Sequence, residues 1–346
     1  MAAAAQLVPH KRGWLSSEMS KEQLTLQLTS EHRLAIKDLM AKIKGEGIEF
    51  QEIRRKDFDH PVLNGFLARV LHQIREGYAI AILSGFPVED YSVDDLKAIY
   101  WGVGAHFGQG CSQSANGDYL GLVTDRKNAR GYTSSRALDL HTDSAEMVGL
   151  LCIRSSEEGG MNMFANSLTI FDIIQREHPE YMPVYEKGFP YHRKGEEAPG
   201  AEPITPFDCP IFSMAGGVLS CRYSREGWEL ALREMKRSYT PLERAALDFF
   251  DQVAMRDEVR FDMKLSPGEA VFQSNFEMVH GRTAFVDRGE PGRERLLFRL
   301  WLVGDPPRPL RPNLLSFQNK SGLQGIDKQE GRVPGRAQFT VTANMV

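Results

Sequence analysis

From residue 120 to residue 303 the chain is a series of short apolar runs, with Gly, Pro, Asn or Asp in many of the breaks between them. The runs fall at Leu120 to Thr124, Glu146 to Ile153, Asn162 to Ala165, Ile211 to Ala215, Val218 to Tyr223, Val259 to Met263, Ala270 to Ser274 and Leu296 to Val303. Short runs punctuated by turn formers read as antiparallel strands. Helical patterns interrupt them at Leu168 to His178, Glu226 to Arg237 and Pro241 to Met255. The last opens with a capping box, Thr240 with Glu243, and a proline at its first position.

The first quarter is helical in pattern. Ser30 is placed to cap a helix carrying Leu34, Leu39, Met40 and Ile43, and a second helix from Pro61 carries Leu63, Phe66, Leu67, Val70, Leu71 and Ile74 on one stripe. A strand over Tyr78 to Leu83 follows, then a helix opened by Ser92 and ending near Phe107. Helices followed by irregularly spaced strands predict an α+β fold built on a β-sandwich or barrel. The expected organisation is a helical region (1–77) packed on a β core with a helical insertion (78–304), then a proline-rich polar tail or strap (305–346). Together these read as one structural domain.

Composition limits the partners. Among 346 residues, 42 Lys and Arg stand against 46 Asp and Glu, a net charge of −4. Nothing in that balance favours nucleic acid or a membrane surface, and a small molecule is the expected partner; homo-oligomerisation is left open. The four cysteines (Cys111, Cys152, Cys209, Cys221) show no CxxC spacing, which fits a reducing cytoplasm. Neither a secretory signal nor an apolar span of membrane length is evident.

Among the histidines, His10, His32, His60, His178 and His192 lie in polar stretches and are expected at the surface, while His72 and His106 lie in helical segments. His141 differs. It begins His141-Thr142-Asp143 just before an apolar run, and residues at i and i+2 of a strand share a face, so imidazole and carboxylate can converge. A distant second histidine, His280 in His280-Gly281-Arg282-Thr283-Ala284-Phe285, would complete a two-histidine, one-carboxylate triad suited to non-haem Fe(II). In the run from Arg295 to Leu302, Leu296, Phe298, Leu300 and Leu302 share one face; Arg295, Leu297, Arg299 and Trp301 share the other. If the second face is enclosed, its two guanidiniums need anionic partners.

In order and spacing, four blocks resemble the taurine dioxygenase-like (TauD/TfdA) family of Fe(II)- and 2-oxoglutarate-dependent oxygenases, over roughly Tyr78 to Leu302. They are His141-Thr142-Asp143, Gly159-Gly160 with the following strand, the segment from His280 to Phe285, and Arg295 with Arg299. The resemblance implies a distorted double-stranded β-helix, or jelly roll, with flanking and inserted helices. It further implies His141, Asp143 and His280 as Fe(II) ligands and Arg295, fifteen residues beyond His280, as the clamp on the C5 carboxylate of 2-oxoglutarate. With O2 as co-substrate, the implied reaction oxidises a C–H bond of a small polar, conceivably anionic molecule and releases succinate and CO2.

Arg299 would bind co-substrate or an acidic group of the substrate. Where many members place Thr or Ser after the double glycine, this chain reads Met161-Asn162, and Asn162 is the expected substitute donor to 2-oxoglutarate. Gln113 and Asn116, in a polar glycine-containing connection, are candidate substrate contacts, and Arg130, Gly131 and Tyr132 a candidate lid. Two other classes fit some of these features: a zinc-dependent hydrolase, since two histidines and a carboxylate also suit zinc, and a non-catalytic binder on the same scaffold.

Overall fold

The computed structural model describes residues 13–125, 134–287 and 293–331. Its layering follows from side-chain alternation in the strand β17 (Leu296–Gly304). Leu296, Phe298, Leu300 and Leu302 join an apolar cluster with the N-terminal helices, whereas Leu297 joins a second cluster and Arg299 and Trp301 turn to a carboxylate. The division is the period of two expected of a strand covered on both faces.

β17 lies within a seven-stranded sheet of order β1 (Thr25–Gln27), β2 (Ile80–Ser84), β14 (Glu269–Ser274), β6 (Met147–Arg154), β17 and β3 (Gly108–Gly110), with β4 (Leu120–Val123) also paired to β17. β1 runs parallel to β2, and the other pairs are antiparallel. A second, antiparallel sheet has the order β13 (Arg260–Met263), β8 (Asn162–Asn166), β15 (Met278–Arg282) and β5 (Leu138–His141). Ile82, Val271 and Leu297 of the large sheet meet Phe164, Phe261 and Met278 of the small one in a single cluster, so the two sheets face each other. Two-stranded pairs complete the β structure: β7 (Glu158–Gly159) with β16 (Phe285–Val286), β9 (Phe189–His192) with β10 (Ile204–Cys209), and β11 (Phe212–Ala215) with β12 (Val218–Cys221). Mixed sheets with flanking helices make an α+β architecture consistent with a jelly roll.

Beyond the short α1 (Lys21–Leu24), the helices α2 (Ser30–Glu46), α3 (Pro61–Arg75) and α4 (Val93–Gly104) cover the outer face of the large sheet through Ile36, Leu39, Val70 and Ile99. On the other side, α5 (Ser167–Glu177), α6 (Met182–Lys187), α7 (Arg225–Glu234) and α8 (Pro241–Ala254) pack around Ile174, Tyr185, Trp228 and Phe250. The Thr240–Glu243 capping box forms at the start of α8. Three expectations are corrected. Thr29, not Ser30, caps α2, because its extended backbone lets its hydroxyl accept from the His32 N–H. Leu34 is 61% exposed and Ile36 takes its place in the core, in register with Leu39, Met40 and Ile43. His192 is buried rather than superficial, since β9 packs on α7 and brings its Nε2 to Glu234 at 2.8 Å.

The N-terminal region contributes a strand, β1, to the large sheet as well as helices. After Gly304 the chain lies across the core. Arg308 bonds to Ser220, Leu219 and Glu277, Asn313 Nδ2 donates to the Asp208 carbonyl, and the Ile326 N–H donates to Ser112. Among the described residues no helix is long and apolar enough to cross a membrane.

Candidate active site

His141 ends β5 and stands directly opposite His280 on β15, with the ring centroids 4.6 Å apart. Residues opposed across an antiparallel pair project from the same face. Asp143 reaches them by a different route from the one its spacing suggests. β5 stops at His141, so Asp143 lies in the turn before β6 and does not share a strand with the histidine. Asn275 fixes that turn: its Oδ1 accepts from the Asp143 N–H at 2.9 Å, and its Nδ2 donates to the carbonyls of Asp143 (2.8 Å) and Ala145 (2.6 Å). Buried Arg222 adds a second brace, donating through Nη1 to Thr142 O (2.6 Å) and through Nη2 to Ser144 Oγ (2.7 Å). One ligand atom from each of His141, Asp143 and His280 lies within 4.8 Å of the others.

Cations and donors surround the carboxylate. Arg299 Nη1 lies 3.1 and 3.2 Å from the two Asp143 oxygens, and Trp301 Nε1 donates to Oδ2 at 3.0 Å. Burial opposes the charged form of Asp143, but Arg299 with His280 and His141 outweighs it and holds the carboxyl well below the usual range. For His141, burial and then the His280 ring push the imidazole down to about 4, so it is neutral at physiological pH. Its Nδ1 lies 2.7 Å from the Asp139 carbonyl, which requires the proton on Nδ1 and leaves the Nε2 lone pair free. Gln273 Nε2 lies 2.6 Å from His280 Nδ1, and Gln273 Oε1 has no partner among the described residues. With the amide turned so that Oε1 accepts from Nδ1–H, His280 Nε2 is likewise freed as a donor of electrons to a metal. Two imidazoles and one ionised carboxylate are a donor set that fits Fe(II).

Arg295 precedes β17, is 3% exposed, stacks over the Phe285 ring at 4.9 Å, and leaves Nη1 without a partner among the described residues. Gly160, at φ +69°, lets the chain pass close to it, since a Cβ there would come within 3.3 Å of Arg295 Nε. Asn162 is buried, and its Nδ2 donates to the Met263 carbonyl at 3.3 Å, which engages one of its two amide N–H groups. Gln113 meets Arg299: its Oε1 accepts from Arg299 Nε at 2.8 Å and its Nε2 donates to Arg299 O at 2.8 Å. Asn116 is buried in the same connection, with its backbone N–H donating to Ser114 Oγ at 3.2 Å. Arg130, Gly131 and Tyr132 lie outside the described residues. Sequence reasoning passed over Trp301, Asn275, Gln273 and Arg222 as site residues. Only Trp301 carried a signal, because it shares the Arg299 face of β17.

A facing pair of sheets that brings two imidazoles and a carboxylate together beside buried guanidiniums defines a non-haem metal oxygenase. Residues 38–301 match the model of the taurine catabolism dioxygenase TauD, TfdA family. The chain belongs to that family and is an Fe(II)- and 2-oxoglutarate-dependent oxygenase. It is 28% identical over 290 residues to FR-33289 synthase of Streptomyces rubellomurinus, covering 81% of this chain and 85% of that protein. In fold it is similar to asparagine oxygenase solved with Fe(II), 3-hydroxyasparagine and succinate, with a TM-score of 0.65, 14% identity, and 88% and 100% of the two chains covered. The non-haem iron oxygenase OrfP, solved with Fe and alpha-ketoglutaric acid, is similar at a TM-score of 0.59, 15% identity, and 80% and 93% coverage. These findings do not favour the zinc hydrolase or the non-catalytic binder.

Proposed function

We propose that the enzyme oxidises a C–H bond of a small polar, anionic molecule, with His141, Asp143 and His280 holding Fe(II) inside a distorted double-stranded β-helix. Arg295 is the anchor for the distal carboxylate of 2-oxoglutarate in this reading, and the observation that carries it is the three ligand atoms within 4.8 Å of one another on a face that also buries guanidiniums. Fe(II) held there would supply, with 2-oxoglutarate and O2, the oxidising chemistry that has succinate and CO2 as its co-products.

The chain's own residues position the reaction. Asp139 and Gln273 set the imidazole tautomers, and Trp301 and Arg299 hold the carboxylate in one orientation. Arg299, itself fixed by Gln113, is the group we assign to an acidic function of the substrate, with Gln113 and Asn116 as further substrate contacts. A guanidinium suits carboxylate, sulfonate or phosphonate alike. Asparagine oxygenase holds 3-hydroxyasparagine in its solved structure, which supports a small polar substrate here. Holding the C–H bond at a fixed distance from the metal is where such a site gains rate.

A screen of small anionic and zwitterionic compounds, read by succinate release and by mass spectrometry of the organic product, tests this function. Substrate-dependent succinate with a product one oxygen heavier, or lighter by two hydrogens, is the expected result. Hydrolysis without O2 uptake would overturn it.

A further inference from the structure

Arg282 follows His280 by two residues on β15 and is buried at 4% exposure. Its Nη2 donates to the carbonyls of Ser134 (2.7 Å) and Arg136 (2.6 Å). The rest of the guanidinium is unspent, since Nε and Nη1 are buried with no hydrogen-bond partner among the described residues. Arg295 is in the same condition at Nη1, and the two cations stack on one ring, lying 4.7 and 4.9 Å from the centroid of Phe285. Among the described residues neither guanidinium lies within 4.0 Å of a carboxylate oxygen; the Asp125 and Asp287 charges act on Arg282 and Arg295 from further away, and Asp287 accepts from the Arg295 backbone N–H at 2.9 Å. Two enclosed, mutually repelling cations with idle donors are costly unless an anion joins them.

The register says which anion. Arg282 is the direct partner of Asn162 across the β15–β8 ladder. Asn162 stands where many family members place Thr or Ser, and one of its two amide N–H groups is engaged by the Met263 carbonyl. The donor missing from one strand is therefore available on its neighbour. We infer that Arg282 is a second anchor for the distal carboxylate of 2-oxoglutarate, sharing it with Arg295 and standing in for the absent Thr or Ser. This deepens the proposed function and rests on its assignment of Arg295. A paired cationic clamp selects a co-substrate bearing two carboxylates over a 2-oxo acid bearing one.

Calorimetry on the Mn(II)-loaded protein, which needs no turnover, tests the assignment with 2-oxoglutarate and with 2-oxobutyrate, which lacks the distal carboxylate. Arg282→Gln keeps a polar side chain but removes the charge. It should weaken 2-oxoglutarate by about tenfold or more, the range for a hydrogen bond to a charged group, with little change for 2-oxobutyrate. Arg282→Lys should restore part of the loss. A change in 2-oxoglutarate affinity of less than about threefold, or an equal loss for both ligands, would assign Arg282 to holding the 134–136 segment and overturn the inference. Failure of the broader reading looks different, because the unmodified protein would then bind both ligands alike and Arg295→Ala would change neither.

Discussion

Trp301 Nε1 lies 3.0 Å from Asp143 Oδ2, so a residue of the long internal strand β17 holds a carboxylate presented by the turn before β6. The contact spans 158 residues of sequence and ties the orientation of a proposed metal ligand to the rigid sheet. Trp301→Phe keeps most of the ring and removes the donor. We expect Fe(II) or Mn(II) affinity to fall about 10- to 100-fold, as for other partners of metal ligands, with a small change in melting temperature. Metal titration alongside thermal melts checks both.

His141→Ala and His280→Ala should each abolish turnover while leaving the fold intact. The core clusters do not include either ring, and a chain of this length needs no metal in order to fold. Chelated wild-type protein and both variants should give near-native circular dichroism and cooperative melts. Full activity in either variant would remove the triad.

Arg295→Ala should weaken 2-oxoglutarate by roughly 2–5 kcal/mol, the cost of truncating one partner of a buried charged pair. Arg295→Lys should recover only part, because lysine lacks the planar fork. Apparent affinity from succinate release, measured at saturating substrate, is the readout.

All four cysteines are buried thiols. Burial pushes Cys111 and Cys152 up to about 12 and raises Cys209 and Cys221 as well. Native protein should therefore react negligibly with a thiol reagent up to about pH 9, since the thiolate is the nucleophile, and expose four thiols in denaturant. Rapid labelling of the native state would contradict the packing around them.

Much of this was legible before any coordinates. The alternation from Leu296 to Leu302 correctly assigned the apolar side chains to one layer and Arg299 with Trp301 to the other, because a strand's period of two is local. His141 and Asp143 were singled out for an insufficient reason: their convergence depends on Asn275, 132 residues away from Asp143, and no local pattern encodes that contact. The strands β9 and β10 escaped notice because they form an irregular pair with a register shift between Ile204 and Asp208. The bond from Asn162 to the Met263 carbonyl is likewise invisible locally, because its partner belongs to a strand 101 residues further on.

The last strand among the described residues, β17, lies between β6 and β3 rather than at an edge. During synthesis, then, the large sheet cannot close until β17 has left the ribosome. Until that moment β6 offers an unpaired flank, and the Asp143 turn lacks Arg299 and Trp301. Such late, long-range insertion is slow and leaves partly made chains prone to self-association. A chain cut short before Leu296 would lack a strand from the middle of the sheet and two of the groups that hold Asp143, so the site and the sheet should mature together, once β17 is in place.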